Sequence, residues 1–201
     1  DPWVGSTLRG RYFVERIVGA GGSSSVYRVR QIDVGRALAA KIIVIQPGRY
    51  ALATQARLVL EVQTLARLSS PHIVRVLELL DLGGGALAVI MDYAGGETLH
   101  SVLGRLGRMP TRQALDIARQ LAEGLIELHE AELIHRDIKP TNIMLEQLPS
   151  QRWFARLVDF GIVSSVAEGA DDLIIAGTPG YMAPEAIQNS HTLDARVDVS
   201  A

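Results

Sequence analysis

Hydrophobic and polar positions alternate along the first part of this 201-residue chain, and such alternation predicts β-strands. The segments RYFVERIV, SSVYRVR and ALAAKIIVI show it, with turn-forming residues from Asp33 to Gly35 before the third. Two more apolar runs, Val74 to Asp81 and Ala86 to Met91, have the length of strands and flank Gly83 to Gly85. Together these patterns predict an antiparallel sheet.

Two other segments repeat apolar residues at helical spacing. After Pro47, four of them share one face of a predicted helix that Pro71 is expected to stop: Leu58, Val62, Leu65 and Leu68. After Pro110, Thr111 is predicted to cap a longer helix. Its predicted apolar stripe comprises Ala114, Ala118, Leu121, Leu125 and Leu128.

Gly95 and Gly96 lie where the strand-rich composition gives way to a helical one, so we expect a hinge there. The sequence therefore predicts an α+β fold with two lobes. Residues 1–94 would form a sheet with one helix, and residues 95–201 a mainly helical lobe.

Composition excludes several classes of function. The formal net charge of −2 gives no nucleic-acid footprint, and no apolar run approaches the ~20 residues that a membrane span needs. The chain has no cysteine, which removes disulfides, thiolate nucleophiles and zinc ribbons. A reducing compartment fits this composition, and we expect a cytoplasmic location.

The segment VGAGGSSSV, from Val18 to Val26, contains three glycines that would let backbone amides approach a phosphate. A plain glycine-rich turn without a ligand would show the same pattern. A Rossmann dinucleotide-binding motif is the other alternative, but it would require a helix directly after the glycines. The alternating VYRVR that follows indicates a hairpin instead. The glycines would then form a flap over a ligand.

Lys41 lies within a predicted strand, on the same face as Ala39 and Ile43. A buried ammonium group needs a carboxylate partner, and Glu61 on the first predicted helix is the best candidate. The alternative is a lysine that extends from an edge strand to solvent.

The segment HRDIKPTN gathers three polar side chains in one predicted loop. Asp137 can accept a hydroxyl proton, Lys139 can hold a negatively charged oxygen, and Asn142 can offer an oxygen to a hard cation. Asp159, in LVDFG, would supply a carboxylate to the same cation. A structural salt-bridged loop and an ordinary turn aspartate are the corresponding alternatives.

The order of these segments, completed by APE at Ala183 to Glu185, resembles the signature set of protein kinases. The segments KPTN and GTPGYMAPE are similar to those of the Ser/Thr class. The sequence as a whole resembles bacterial eukaryotic-like, or Hanks-type, kinases. The resemblance spans Arg11 to about Ser200 and implies transfer of the γ-phosphoryl group of ATP, with Mg²⁺, to Ser or Thr hydroxyls of proteins. A nucleotide-binding signalling or scaffold module without transfer is the alternative. GTPGYMAPE disfavours a small-molecule kinase.

The resemblance also implies a role for each position. Asp137 would align the acceptor hydroxyl, Lys139 would neutralise the transferring group, and Thr178 would hydrogen-bond both. Lys41, oriented by Glu61, would hold the α- and β-phosphates. The positions implied to bind the nucleotide are Val18, Gly19, Ala20, Gly21, Gly22, Val26, Ala39, Lys41, Met91, Asp92, Ala94, Asn142 and Asp159. Met91 would lie at the back of the adenine pocket, Asp92 to Ala94 would read the base, and Asn142 and Asp159 would bind magnesium.

Supporting roles follow from the same resemblance. His135 would pack inside the lobe, and Arg136 would anchor the activation loop, where we hypothesise a pair with Asp172. Ser164, Ser165 and Thr178 are candidate autophosphorylation sites, which would require self-association.

Asp198 resembles the aspartate that anchors the catalytic loop of kinases, and the chain ends three residues later. We therefore expect a truncated catalytic domain with an incomplete helical lobe and exposed apolar surface on the 111–130 helix. We expect both ends to be cut edges of a longer parent chain, and the resemblance leaves open whether that chain is anchored in a membrane, as many bacterial relatives are.

Overall fold

The computed structural model describes residues 1–20, 24–48, 51–159, 178–188 and 194–200. The described residues form two compact units. The first, which we call the sheet unit, contains Asp1–Arg67 and Arg75–Tyr93. The second, which we call the helical unit, contains Leu68–Val74 and the described residues from Ala94 onward.

The sheet unit contains one six-stranded antiparallel sheet. Its strands are β1 (Thr7–Leu8), β2 (Tyr12–Ala20), β3 (Ser24–Gln31), β4 (Ala37–Val44), β5 (Val76–Gly83) and β6 (Ala86–Asp92). They are ordered β1-β2-β3-β4-β6-β5. One face carries a core that includes Val14, Val29, Leu38 and Ile90, so the predicted alternation places these side chains correctly.

The helix of the sheet unit, α1, spans Ala51–Leu65 and buries Leu58, Val62 and Leu65. The prediction that it continues through Leu68 is wrong. The backbone N–H groups of Ser69 and Ser70 instead donate to the carboxylate of Glu127, at 2.8 and 2.6 Å. This side chain replaces the helical carbonyls as acceptor, and the chain leaves the helix.

The helical unit contains the helices α2 (Leu99–Leu106), α3 (Thr111–Glu130) and α4 (Pro184–Gln188). A three-stranded antiparallel sheet, β7 (Glu97–Thr98), β8 (Ile143–Gln147) and β9 (Trp153–Leu157), accompanies them. Short 3₁₀ helices span Pro140–Asn142, Pro179–Tyr181 and Ala195–Asp198. The core of this unit lies between α2, α3 and the small sheet and includes Val102, Ile117, Leu145 and Leu157.

The long helix α3 differs from its prediction in two respects. Pro110 occupies the N-cap position without a side-chain hydrogen bond, and Thr111 is the first helical residue. The buried face comprises Ile117, Gln120, Gly124 and Leu128. From the predicted stripe, Leu128 is buried and Leu121 and Leu125 pack against the core, whereas Ala114 and Ala118 are exposed.

The buried face of α3 is set by polar and close contacts that apolar spacing does not reveal. The Gln120 amide donates to the carbonyl of Trp153 at 2.9 Å and accepts from the N–H of Ala155 at 2.9 Å. A Cβ at Gly124 would lie 3.3 Å from the His72 backbone oxygen, so the helix approaches its neighbour closely there. Among the described residues, no helix is both long and apolar enough to cross a membrane.

Candidate active site

Three side chains of the helical unit form a closed hydrogen-bonded triangle. Lys139 Nζ lies 2.6 Å from Asp137 Oδ2 and donates to Thr178 Oγ1 at 2.8 Å. The Thr178 hydroxyl in turn donates to Asp137 Oδ1 at 2.9 Å. Lys139 and Asp137 are two residues apart in the loop, whereas Thr178 comes from far along the chain. The triangle therefore fixes the relative positions of a carboxylate, an ammonium group and a hydroxyl.

The carboxylate of Asp137 is ionised at neutral pH. Desolvation is the largest single effect and would raise its pKa, but hydrogen bonds from Lys139, Thr178 and Asn142 and the charge of Lys139 together outweigh it. The pKa of Asp137 consequently lies below its usual value. The side chains of Asp137 and Lys139 are each 22% exposed, so both groups can reach a ligand as well as each other.

A second aspartate holds the backbone at the start of the same loop. Asp198 accepts from the backbone N–H groups of His135 and Arg136, both at 2.8 Å. It also accepts from His129 Nε2 at 2.8 Å. Arg136 adopts a φ of 67°, a left-handed conformation that costs about 1–2 kcal/mol in a non-glycine residue. The contacts to Asp198 compensate for this strain, and the anchoring role expected for Asp198 is confirmed.

His135 is completely buried in the helical unit. Its Nε2 atom donates to the carbonyl of Val158 at 3.3 Å. Burial lowers the pKa of His135, although the nearby charge of Asp198 acts in the opposite direction. The imidazole is therefore neutral and acts as a packing group, as the resemblance implied.

Strand pairing brings the two candidate magnesium ligands to the same end of the β8–β9 hairpin. Asn142 directly precedes Ile143, which pairs with Leu157, and Asp159 follows Leu157 by two residues. The Val158 N–H also donates to the Asn142 carbonyl at 2.9 Å. Asp159 has a φ of 59°, which turns the chain at the end of the hairpin.

The donor set at this hairpin end fits magnesium. Asn142 uses its amide nitrogen to donate to the carbonyl and carboxylate of Asp137, at 2.9 and 3.0 Å. That leaves the amide oxygen of Asn142, which accepts a long hydrogen bond from Thr141 Oγ1 at 3.5 Å, as the candidate ligand atom, and Asp159 carries a carboxylate. Mg²⁺ prefers oxygen ligands and commonly uses one or two protein groups, completed by phosphate oxygens and water.

Strand register brings five of the predicted nucleotide-binding residues to one face of the large sheet. Gly19 pairs with Val26 and Val26 pairs with Lys41, while Ala39 pairs with Met91. Paired residues share a face, and so do residues two apart in a strand. Ala39, Lys41 and Met91 are buried, at 7, 4 and 5% exposure. This face therefore combines a buried cation with small and apolar neighbours.

The remaining predicted nucleotide-binding positions of the glycine segment are exposed or fall outside the described residues. Val18 is 47% exposed, and Gly19 and Ala20 are exposed as well. Gly21 and Gly22 lie outside the described residues. Glu61 is half-buried on α1, next to the buried Val62. Its pairing with Lys41 stays a prediction.

Arginines of the sheet unit hold the residues that follow Met91. Arg36 donates to the Asp92 carboxylate at 2.6 Å, and Arg16 donates to the Tyr93 hydroxyl at 3.1 Å. The Arg28 guanidinium lies 5.4 Å from the centre of the Tyr93 ring. Ala94, the last residue of the predicted hinge, is half-buried and is the first residue of its segment of the helical unit.

Sequence reasoning missed three polar residues of α3 that hold neighbouring segments in place. Gln120 and Glu127 hold β9 and the segment before His72 against α3, and His129 supports Asp198. A signal was available: Gln120 lies on the same helical face as Ile117 and Gly124, where a polar side chain must find a partner.

Other predictions lie outside the described residues, namely the Asp172 pair with Arg136 and the sites Ser164 and Ser165.

Comparisons with known proteins agree with the geometry. A family model described as "Protein kinase domain" matches residues 12–201. Serine/threonine-protein kinase pkn3 of Myxococcus xanthus is 34% identical over all of this chain, which covers 38% of pkn3. Serine/threonine-protein kinase PknL of Mycobacterium tuberculosis is 34% identical over 99% of this chain, which covers 49% of PknL. The chain thus spans half or less of these relatives.

A solved structure, Rad53 1-466 in complex with AMP-PNP, has the same fold. It superposes with a TM-score of 0.77 at 24% sequence identity, covering 97% of this chain and 47% of the Rad53 chain. This likeness establishes the two-lobed fold class predicted from the sequence.

Proposed function

The chain belongs to the protein kinase family, and we propose that it transfers the γ-phosphoryl group of ATP to Ser or Thr hydroxyls of proteins in a Mg²⁺-dependent reaction. One observation carries the proposal: the hydrogen-bonded triangle of Asp137, Lys139 and Thr178, with Asn142 donating to the same carboxylate. A loop that served only structure would not require an ammonium and a carboxylate that both remain partly exposed.

Each member of the triangle has a distinct task in this proposal. The ionised Asp137 accepts a hydrogen bond from the acceptor hydroxyl and aligns its oxygen for attack. Lys139 neutralises negative charge on the transferring group. The Thr178 hydroxyl keeps the two side chains in register. Positioning and charge neutralisation are the main requirements for phosphoryl transfer, because the transition state is loose.

Asn142 and Asp159 would hold magnesium. The bound ion would supply positive charge next to the β- and γ-phosphate oxygens. The amide nitrogen of Asn142 is committed to Asp137, so the same residue orients the aligning carboxylate and presents its oxygen to the ion.

We assign nucleotide binding to residues 1–94 and the transfer chemistry to residues 95–201. The sheet face that carries Gly19, Val26, Ala39, Lys41 and Met91 supports this division. Its buried ammonium would hold the α- and β-phosphates, with Glu61 orienting it, while the exposed glycine segment would cover them. The backbone from Asp92 to Ala94 would read the adenine. The AMP-PNP complex of Rad53 is consistent with a nucleotide in this fold.

The proposed partners are proteins that present Ser or Thr hydroxyls, including a second copy of this chain in autophosphorylation. The names of the bacterial relatives support the Ser/Thr class. We also propose a cytoplasmic location, where ATP is available. The membrane anchor of a longer parent chain is a further proposal from the same resemblance.

Phosphoryl transfer from MgATP to the chain itself and to a basic protein substrate tests the proposal. Asp137→Asn should lower the rate at least ~100-fold, as expected for loss of an aligning base. Asp33→Asn, in an exposed turn, is the matched control and should retain the rate. If Asp137→Asn were as active as the unmodified chain, the assignment would be wrong. Nucleotide binding without any transfer would favour the scaffold alternative.

A further inference from the structure

Two adjoining cavities open on the helical unit far from the proposed catalytic loop, residues 135–142. One, of about 420 Å³, lies between the first turns of α3 and the turn that joins β8 to β9. The other, of about 380 Å³, lies between the α2–α3 connection and the end of β8. Gln113 and Trp153 line both cavities. We therefore treat them as one feature, the basic groove.

Four arginines and one acidic residue line the basic groove: Arg105, Arg108, Arg112, Arg152 and Asp116. Arg152 donates to the carboxylate of Asp116 at 3.0 and 3.1 Å. Hydrogen bonds from Arg152 and then Arg119 keep the pKa of Asp116 below its usual value, so this carboxylate is ionised and already neutralised. The one acidic group in the groove is thus satisfied by the protein.

Two of the arginines have no such partner. Arg105 pairs with Glu97 at 2.7 Å. Arg108 and Arg112 are exposed, and across the described residues their side chains make no hydrogen bond or ion pair. Arg112 also lies in the first turn of α3, which contains no acidic residue, although that position favours negative charge. The groove therefore carries uncompensated positive charge in a chain whose formal net charge is −2.

An aromatic side chain forms the shared wall of the groove. Trp153 is half-buried and packs against the core of the helical unit. The Gln120 amide fixes its backbone by donating to its carbonyl at 2.9 Å. Aromatic and arginine side chains are the residues enriched where proteins bind one another. A rigid indole beside free guanidinium groups suits a segment with both apolar and acidic side chains.

Amide side chains at the groove suit a peptide backbone. Gln113, Gln147 and Gln151 line it, and Gln147 donates to Gln151 at 2.9 Å. Each side-chain amide offers both donors and an acceptor, which match the N–H and C=O groups of an extended chain. A free anion would need only the donors.

The groove is separate from the proposed chemistry. Arg112 lies near the first residue of α3 and His129, which supports the catalytic loop, near its last. At 1.5 Å per residue, the two positions are roughly 25 Å apart along the helix. Gln147 likewise lies at the opposite end of β8 from Asn142. A segment bound in the groove would leave the candidate active site free.

We propose that the basic groove is a docking site for an extended acidic segment of a protein partner. Acidic side chains pair with Arg108 and Arg112, and an apolar side chain packs on Trp153. The concave shape favours a peptide over a flat anionic membrane, and the local cluster of arginines within a net negative chain disfavours a nucleic acid. The inference goes beyond the proposed phosphoryl transfer, because binding in the groove requires neither ATP nor Asp137.

A binding titration without ATP tests the proposal. The probe is a fluorescent synthetic peptide rich in glutamate around one leucine, and its counterpart has glutamine for every glutamate. Anisotropy should show binding of the acidic peptide alone. The double variant Arg108→Glu/Arg112→Glu should weaken it about tenfold or more, since it removes two ion pairs and adds two repulsions.

A matched variant separates docking from general charge attraction. Arg67→Glu/Arg75→Glu makes the same change in net charge at two exposed arginines outside the groove, and should leave the affinity within about twofold. Both double variants should keep the thermal melt of the unmodified chain, because all four side chains are exposed.

The fluorescence of Trp153 locates the bound peptide. The chain has two tryptophans, so Trp3→Phe leaves Trp153 as the reporter, and its emission should shift on binding. Three outcomes would overturn the proposal: equal weakening by both double variants, binding without a change at Trp153, or binding to vesicles of anionic lipid or to DNA but not to the acidic peptide. A chain that transfers no phosphoryl group but binds the peptide would leave this inference standing.

Discussion

Two aspartates hold the proposed catalytic loop, residues 135–142, in different ways: Asp198 binds its first residues, which we call the anchored end, and Asp137 belongs to the triangle with Lys139 and Thr178, which we call the reactive end. Asp198 receives two backbone N–H groups and one imidazole, and its side chain is 1% exposed. Asp137 receives hydrogen bonds from the side chains of Lys139, Thr178 and Asn142 and is 22% exposed. Backbone donors in a dry site fix a conformation, whereas side-chain donors beside water can exchange a protein partner for a ligand. Stability and activity should therefore depend on different aspartates.

Asp198→Ala should have the largest effect on folding. It leaves one buried and one partly buried backbone N–H group without acceptors and removes the compensation for the strained Arg136. Loss of one partner of such a buried charged network costs about 3–5 kcal/mol. Chemical denaturation followed by circular dichroism measures the loss.

Asp194→Ala is the control for that prediction, because Asp194 caps the same short helix but is exposed, and among the described residues its side chain bonds only Arg196. It should lower the free energy of unfolding much less. Equal losses in the two variants would mean that Asp198 has no special part in holding the loop.

Lys139→Met should lower the rate of phosphoryl transfer strongly and the free energy of unfolding only slightly. The variant keeps the length of the side chain but removes the donor to Asp137 and Thr178. We expect kcat/KM for phosphoryl transfer to fall about 100-fold, which corresponds to roughly 2.7 kcal/mol. Because the lysine is partly exposed, the free energy of unfolding should change by less than about 1 kcal/mol.

The pH profile of the same variant reports on Asp137. Lys139 is among the groups that lower the pKa of Asp137, so without it that pKa should rise. Activity requires the ionised form, and the acid limb of the kcat/KM profile should move to higher pH. A limb that stays in place would show that Lys139 acts on the substrate without affecting the carboxylate. Lys139→Arg, which restores the charge, should return the limb toward its original position.

The contrast between the two aspartates also explains what the sequence could predict. Strand alternation placed Lys41 and Ala39 on one face, because a period of two is a local pattern, whereas the position of Met91 was expected only from the family resemblance. The buried face of α3 was misassigned because it depends on Gln120 and Gly124, whose importance comes from the approach of β9 and His72. Spacing of apolar letters cannot reveal a partner that is distant in sequence.

The candidate site shows the same division. The sequence alone predicted that Asp137, Lys139 and Asn142 lie in one loop. It did not predict the β8–β9 pairing that brings Asp159 and Asn142 to the same end of the hairpin. The anchoring contact of Asp198 was expected only through resemblance to a family. Contacts between residues far apart in the sequence could thus be expected from the family resemblance, but not from local sequence patterns.

Thr178→Val should have a smaller effect, confined to the reactive end of the loop. Valine has nearly the same shape, but its methyl group can neither accept from Lys139 nor donate to Asp137. We expect kcat/KM to fall about tenfold, as for one lost hydrogen bond of about 1.4 kcal/mol. Thr178→Ser restores the hydroxyl and should recover most of the rate. If serine were no better than valine, the packing of the methyl group would be the important feature.

The smallest expected effect concerns the pH dependence of stability at the anchored end. Burial lowers the pKa of His135, so the folded chain keeps it neutral at pH values where the unfolded chain, with a pKa near 6.5, binds a proton. The free energy of unfolding should therefore be unaffected by His135 above that pKa and should fall as the pH is lowered through it. One such group contributes up to about 1 kcal/mol between pH 6.5 and 5.5.

His135→Phe keeps the packing but cannot titrate, so its stability should depend less steeply on pH than that of the unmodified chain. Urea titrations of both proteins at the two pH values give the difference, and it excludes the other four histidines because both chains contain them. Parallel slopes would mean that His135 binds protons over the same pH range in the folded and the unfolded chain, so that burial does not lower its pKa.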